Sequence, residues 1–266
     1  MTDTQDDWRT ALTRIAHTER LLVALDFDGT LALLQDDPMS ARALPESAAA
    51  VARIAALPDT VVAFVSGRSL PDLRVIAEHD DDSLVWLAGS HGVEYWRPAH
   101  AAVVEAEAAA AADDAQEEQL LRRLTDEAGQ LVDGIEGAWI EKKTHGFAVH
   151  TRLTPRELAP GVQGVVDALV SREAPHWRRR SGHNLIEYSW RQEGKDAAVA
   201  RLRADTGATA VLFAGDDVTD EDALASLEPH DLGVRVGPGE TAASVRVQDA
   251  REFADLLAEL ADLRAS

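Results

Sequence analysis

Residues 21–30 read LLVALDFDGT. The apolar run from Leu21 to Leu25 stops at Asp26, and Asp28, Gly29 and Thr30 follow. A short apolar run bounded in this way predicts a buried strand of a parallel sheet. Functional groups in such sheets sit just past the carboxyl ends of the strands. Side chains two residues apart on extended backbone point the same way, so Asp26 and Asp28 can face one small volume. Two carboxylates there can bind a hard cation through oxygen. One can also attack phosphorus while the other moves a proton. The plain alternative is a strand followed by an Asp-rich turn.

Working outward, the same pattern returns. Residues 45–57 read as a helix with Pro45 at its start. Residues 60–65 (TVVAFV) read as a second buried strand, closing on Ser66, Gly67 and Arg68. A helix is predicted over 71–78, and a third strand over 84–88 ends in Gly89, Ser90, His91 and Gly92. Ahead of the central run, residues 7–19 form an amphipathic helical pattern. Far downstream, Gly194-Lys195 opens a helix over 196–205, and residues 210–214 (AVLFA) run into an acidic stretch at 215–222, GDDVTDED. Val234 and Val236 suggest another short strand, and a C-terminal helix carries Phe253, Leu256, Leu257, Leu260 and Leu263. Alternating strands and helices predict an α/β fold with a doubly wound, Rossmann-like parallel sheet.

The rhythm breaks in between. Residues 99–118 are dominated by Ala, Glu and Asp and read as an exposed helix or linker, running into an amphipathic helix over 115–132. Extended runs follow at 138–142 and 147–152. A helix over 155–171 is started by Thr154-Pro155, and a last extended run covers 185–190. Strand, strand, helix, strand is an α+β module. The expectation is a catalytic core from residues 1–97 and 191–266, with an inserted α+β cap domain at 98–190.

Composition narrows the partners. The chain has 266 residues, with 47 Asp+Glu against 26 Lys+Arg and a net charge of −21. Such a charge argues against nucleic acid or an anionic membrane as partner. There are no cysteines, hence no disulfide or thiolate chemistry. The acidic N-terminus does not read as a signal peptide, and no run of about 20 apolar residues predicts a membrane span. A cytoplasmic monomer is the expectation. Only three lysines occur, Lys142, Lys143 and Lys195, so arginine carries the generic surface charge. A retained lysine then suggests a place that wants a compact ammonium. Arg178, Arg179 and Arg180 read as a solvated basic face.

The strand-end loops converge on one face of the predicted sheet: Asp26 and Asp28, Ser66, Asp216, Asp217 and Asp220, with Lys195 nearby. Phosphoryl transfer to an aspartate needs such a set. A divalent metal brings the carboxylate up to a phosphate that would otherwise repel it, while a hydroxyl and an ammonium neutralise the other oxygens. Mg²⁺ is the natural metal for all-oxygen ligands.

The order DFDGT, SGR, GK, GDDVTDED resembles that of the haloacid dehalogenase-like phosphohydrolases, and in detail the trehalose-6-phosphate phosphatases. The resemblance implies Asp26 as nucleophile, forming an aspartyl phosphate, and Asp28 as general acid and then base, its carbonyl also on Mg²⁺. Ser66 and Lys195 would bind the phosphoryl group. Asp216 would ligate the metal, supported by Asp217 or Asp220. In the cap, Glu141-Lys142-Lys143 is similar to the family's E-x-K, His150-Thr151-Arg152 to its H-x-R, and Glu187 to a later acid. Arg68, Ser90 and His91 resemble substrate-side loops of the core. The resemblance therefore implies a sugar phosphate substrate read by Arg68, Ser90, His91, Glu141, Lys143, Arg152 and Glu187, with cap closure excluding water. Thr144-His145, Thr151 and residues 188–194 depart from the family pattern, all on the cap side. One alternative is accordingly a phosphatase for another disaccharide or pseudo-disaccharide phosphate. Another is a phospho-accepting signalling domain, disfavoured by the insertion and by an acid–base group beside the nucleophile.

Overall fold

The run at residues 21–25 forms β1 (Leu21–Leu25), buried along its whole length. Its side chains alternate between two apolar cores. Leu21, Val23 and Leu25 enter one, and Leu22 and Ala24 the other. A strand covered on both faces has no polar side to show, which is why its sequence is an unbroken apolar run.

The computed structural model describes residues 5–99, 101, 114–182, 184–191 and 194–266. In chain order these form α1 (Gln5–Ala16), β1, α2 (Pro45–Ala55), β2 (Thr60–Val65), α3 (Leu70–Ile76), β3 (Trp86–Gly89) and β4 (Glu94–Trp96). There follow α4 (Asp114–Val132), β5 (Trp139–Lys143), β6 (Gly146–His150), α5 (Ala159–Glu173), β7 (Arg178–Gly182) and β8 (Leu185–Ser189). The chain closes with α6 (Lys195–Thr206), β9 (Ala210–Gly215), α7 (Glu221–Ser226), β10 (Leu232–Val236), β11 (Val245–Val247) and α8 (Ala250–Ala265). It divides into two compact units, Met1–Ala106 with Glu193–Ser266, and Glu107–Gln192.

The larger unit is a seven-stranded sheet in the order β11-β10-β9-β1-β2-β3-β4. β1 pairs in parallel with β2 and with β9. The chain winds outward through β2 and β3, then returns to the other side of β1 for β9, β10 and β11. The carboxyl end of β1 is therefore the point where strand order reverses, the place where open α/β sheets bind ligands. α1, α2, α3 and α8 contribute to the first core, and α6 and α7 to the second.

The sheet is not wholly parallel. β4 runs antiparallel to β3, because the turn at residues 90–92 is too short for a crossover and returns the chain as a hairpin. β4 and β11 are strands of three residues, below the length at which a period can be read.

The smaller unit is a four-stranded antiparallel sheet, β5-β6-β8-β7, with one face packed on α4 and α5 through Phe147, Val149, Ile186 and Tyr188. It has one strand more than expected. Arg178, Arg179 and Arg180 lie in β7; Arg179 is exposed and Arg178 half-buried, but Arg180 is buried, so the expected solvated basic face does not include Arg180. α5 begins at Ala159, not at Pro155. Pro160 occupies its first turn, where a missing N–H costs nothing, and residues 151–158 form turns. Of the Ala/Glu/Asp stretch at 99–118, residues 100 and 102–113 lie outside the described residues. No helix among the described residues is long and apolar enough to cross a membrane.

Candidate active site

Asp26 follows β1 directly, and its amide donates to the Ala214 carbonyl at 2.9 Å, carrying the β1–β9 ladder one step further. Its carboxylate is 5% exposed as a residue. Lys195, the first residue of α6, donates through Nζ to Asp26 Oδ1 at 2.5 Å and to Asp220 Oδ1 at 2.6 Å. Asp220 uses its other oxygen to accept from the amides of Asp216 and Asp217, at 3.1 and 3.0 Å. Thr30 is fully buried, with Oγ1 at 3.4 Å from Asp26 Oδ2.

Asp26, Asp216 and Asp220 each place a carboxylate oxygen within 4.8 Å of the others. Burial pushes the Asp26 carboxyl well above its usual range; Lys195 opposes this, while Asp220 and Asp216 add to it. Asp216 is pushed up to about 7, by burial and then by Asp220. Burial alone would lower the Lys195 ammonium, but Asp220 and Asp26 outweigh it and hold Lys195 well above the usual lysine value. One ammonium thus faces three acids, and an all-oxygen donor set with excess negative charge suits a hard divalent cation.

Asp217, expected at the metal, stands outside this trio. Its Oδ1 accepts from the Val218 amide at 2.7 Å and caps the short turn at residues 218–220. Such turns recruit an Asp side chain to satisfy their free amides. Asp28 also lies outside. Its two oxygens accept from Arg68 Nε and Nη2, both at 2.6 Å, a planar fork on a carboxylate. Arg68 further donates to the Pro38 carbonyl at 2.8 Å.

Gly29 explains the turn between these carboxylates. Its φ is +82°, and a Cβ there would lie 2.0 Å from Asp216 Oδ2. Only glycine satisfies both the left-handed backbone and the close approach.

Ser66 is buried just past β2, and its Oγ accepts from the Arg68 amide at 3.2 Å. The turn after β3 is strained: Ser90 and His91 have φ of 49° and 56°. Strain of this kind persists where surrounding structure over-determines it. Here the Ser90 amide donates to the Arg68 carbonyl at 2.6 Å, and the His91 amide to the Ser66 carbonyl at 2.9 Å. The buried His91 ring lies against Gly67, where a Cβ would meet Nε2 at 2.6 Å. The Ser90 hydroxyl donates to Glu94 at 2.5 Å. The loops after β2 and β3 are therefore one braced structure.

Sequence reasoning missed Arg235. It is buried in β10 and donates to the Asp217 carbonyl at 2.8 Å and to Glu221 at 3.1 Å, bracing the acidic loop from below. Its signal was available, since an arginine inside the apolar run LGVRV needs an acidic or carbonyl partner.

In the smaller unit the sheet register aligns side chains in rows. Glu141 pairs with Ala148, Ala148 with Glu187, and Glu187 with Arg180. Directly opposed residues share a face, so these lie on the face away from the apolar core. Lys143, two residues on from Glu141, shares that face. Its Nζ donates to Glu187 at 2.5 Å, and Arg180 lies 3.9 Å from the same carboxylate. Burial would lower the Lys143 ammonium, but Glu187 and Glu141 hold it above the usual value. Burial would raise Glu141; the His150 ring at 2.6 Å, with Lys143, brings its carboxyl below the usual range. Trp139 stacks on His150 with centroids 4.5 Å apart. Arg152 is half-buried in the turn after β6. The structure thus groups Glu141, Lys143 and Glu187 and adds Arg180, which sequence reasoning set aside.

An aspartate loop at the sheet's reversal point, a lysine opening the helix before β9 and acids closing that strand are the arrangement of the haloacid dehalogenase-like hydrolase class. Comparison with known proteins agrees. The trehalose-phosphatase family profile matches residues 24–255, most of the chain, and the chain belongs to that family. It is 36% identical over 211 residues to the trehalose-phosphate phosphatase of Mycobacterium avium, covering 76% of this chain and 50% of the relative. It is 32% identical over 256 residues to that of Mycobacterium marinum, covering 91% and 62%. The chain thus spans half to under two thirds of these relatives' length. The C-terminal domain of Candida albicans trehalose-6-phosphate phosphatase superposes with a TM-score of 0.78 at 18% identity, covering 96% of each chain, a likeness of fold.

Proposed function

We propose that the chain hydrolyses trehalose 6-phosphate to trehalose and phosphate, with Mg²⁺ as cofactor. The observation that carries this reading is the Asp26 carboxylate at the sheet's reversal point, held by Lys195 beside Asp216 and Asp220. Asp26 attacks phosphorus and Asp28 gives a proton to the departing sugar oxygen, leaving an aspartyl phosphate. Water then attacks that phosphorus while Asp28 takes its proton, which frees phosphate and restores Asp26. Lys195 and Ser66 neutralise phosphoryl oxygens as charge builds. Arg68 holds Asp28 in one orientation.

Asp26, Asp216 and Asp220 would hold the Mg²⁺, with Asp28 contributing its carbonyl and Asp217 shaping the loop. When bound, the ion offsets the repulsion between the Asp26 carboxylate and a phosphate dianion. Glu141, Lys143, Arg152 and Glu187 are the proposed readers of the sugar hydroxyls, with Arg68, Ser90 and His91 on the core. Acceptors and donors in alternation suit a polyol, and a site built to bond hydroxyls rejects analogues that lack them.

The test is phosphate release, with Mg²⁺ or EDTA, from trehalose 6-phosphate, glucose 6-phosphate, sucrose 6-phosphate and an aryl phosphate. The expected result is Mg²⁺-dependent turnover with strong preference for trehalose 6-phosphate. Preference for another disaccharide phosphate would retain the core chemistry and reassign the sugar. Full activity in EDTA would overturn the cofactor.

A further inference from the structure

β10 reads LGVRV and is buried along its length, so Arg235 is the one charged side chain in it. A buried guanidinium is costly unless its donors are used. Nη1 donates to the Asp217 carbonyl at 2.8 Å and to Glu221 Oε1 at 3.1 Å, while Nε and Nη2 reach the Pro238 carbonyl at 3.3 and 2.9 Å. One planar fork therefore bonds to two segments, the acidic loop after β9 and the turn after β10.

The bond to Asp217 bears on Asp216. The amides of Asp216 and Asp217, on either side of the Asp216 side chain, both donate to Asp220 Oδ2. The next peptide group along is held at its carbonyl by Arg235 and by the Asp220 amide at 3.2 Å. The backbone that carries Asp216 is thus gripped by Asp220 from one side and Arg235 from the other. The turn after β10 is tied to the same loop a second time, since the Ala242 amide donates to Glu221 Oε2 at 2.8 Å. Within that turn a Cβ on Gly239 would lie 3.1 Å from Arg235 Nη2, so the turn backbone also seats the guanidinium.

We propose that Arg235 is a positioning residue for the cation site, and that through it the turn at residues 237–242 sets how tightly a divalent ion is held. The inference rests on the reading of Asp26, Asp216 and Asp220 as that site. Two effects of Arg235 have opposite signs. The guanidinium is close enough to act on Asp216 electrostatically, and by Coulomb's law alone its removal makes a cation bind more tightly. Its removal also frees the Asp217 carbonyl and lets Asp216 leave its place beside Asp26 and Asp220. Groups that orient metal ligands contribute about 10- to 100-fold in metal affinity, so positioning wins and binding weakens. Arg235→Lys separates the effects again: it keeps the charge, but a single ammonium does not reproduce a fork that holds two segments.

Calorimetric titration of the whole chain with Mg²⁺ alone tests this, beside melting temperatures taken without Mg²⁺. Arg235→Met and Arg235→Lys are each expected to raise the Mg²⁺ dissociation constant at least ~10-fold. Gly239 and Gly237 have φ of 112° and 78°, so alanine is strained at both. Only Gly239→Ala presses on the guanidinium, since a Cβ on Gly237 would meet nothing nearer than the Gln248 carbonyl at 3.9 Å. Gly239→Ala is expected to weaken Mg²⁺ binding about threefold or more, and Gly237→Ala to change it less than about twofold. An arginine of merely structural importance would lower the melting temperature and leave the dissociation constant where it was. Unchanged or tighter Mg²⁺ binding in the Arg235 variants overturns the positioning role, and Arg235→Lys decides it alone if Arg235→Met does not fold. Equal effects of the two glycine substitutions overturn the part given to the turn. A native protein that binds no Mg²⁺ overturns the cation site itself, an outcome distinct from native binding that survives the substitutions.

Discussion

At the scale of single residues, the loop after β1 has almost no freedom. Gly29 must be left-handed and must lie against Asp216. Gly29→Ala is expected to displace Asp216 and cut turnover by ~100-fold or more, of the order lost with a misplaced catalytic group. A variant with near-normal turnover and Mg²⁺ dependence would show that Asp216 tolerates displacement. Asp26→Asn is expected to abolish turnover, and Asp28→Asn to lower it at least ~100-fold. Stopped-flow detection of the phosphoenzyme separates them, since only Asp26→Asn should lack it. Arg68→Lys keeps the charge but loses the fork on Asp28, so it should resemble Arg68→Ala more than the native enzyme. Residues in short local patterns were readable: Asp26, Asp28, Ser66, Lys195 and Asp216 all sit at strand or helix ends visible in the sequence. Arg235 and Arg180 were not, because what marks them is a partner from a distant strand.

At the scale of elements, the sheet of the smaller unit shows what periodicity can and cannot reveal. β6 and β8 alternate between an apolar and a polar face and were legible. β7 has three arginines in a row, and alternation between identical residues leaves no trace in a hydropathy pattern. Only pairing with β8 shows that Arg180 faces Glu187 while Arg179 reaches Asp167 on the other side. Glu187→Ala leaves Lys143 and Arg180 facing each other, and Lys143→Ala removes the cation closest to Glu187. Both are expected to lower kcat/KM for trehalose 6-phosphate at least ~10-fold while changing aryl-phosphate turnover less than about twofold. Equal losses on both substrates would mean that this face does not read the sugar. In the apolar layer behind it, Phe147→Ala should cost about 3–5 kcal/mol, measurable by denaturant unfolding.

At the scale of the whole molecule, a net charge of −21 means that acid crowding extends well beyond the site. The acid trio makes this testable through pH. Asp26 and Asp216 have folded-state pKa values above their unfolded ones, Asp216 reaching about 7. Between the usual carboxylate range and about 7 the folded state therefore holds more protons than the unfolded state. Without divalent cation, these groups make stability fall as pH rises through that window. A cation binds the ionised form, so the stabilisation by Mg²⁺ should grow with pH. Melting temperatures with Mg²⁺ and with EDTA should diverge between about pH 5 and about pH 7.5. A constant difference would argue against the trio as the cation site.

The position of β1 between β2 and β9 has a consequence for how the protein is made. On the ribosome, the loop after β1 emerges well before its neighbours Lys195, Asp216 and Asp220, since Lys195 follows Asp26 by 169 residues. Until β9 arrives, β1 has one exposed edge and Asp26 has no ammonium to face. The residues of the smaller unit are contiguous and can form their own core meanwhile, as domains generally fold in units. Nascent chains stopped before residue 210 would therefore hold the complete motif DFDGT without any working site, and premature termination anywhere up to that point yields an aggregation-prone sheet edge.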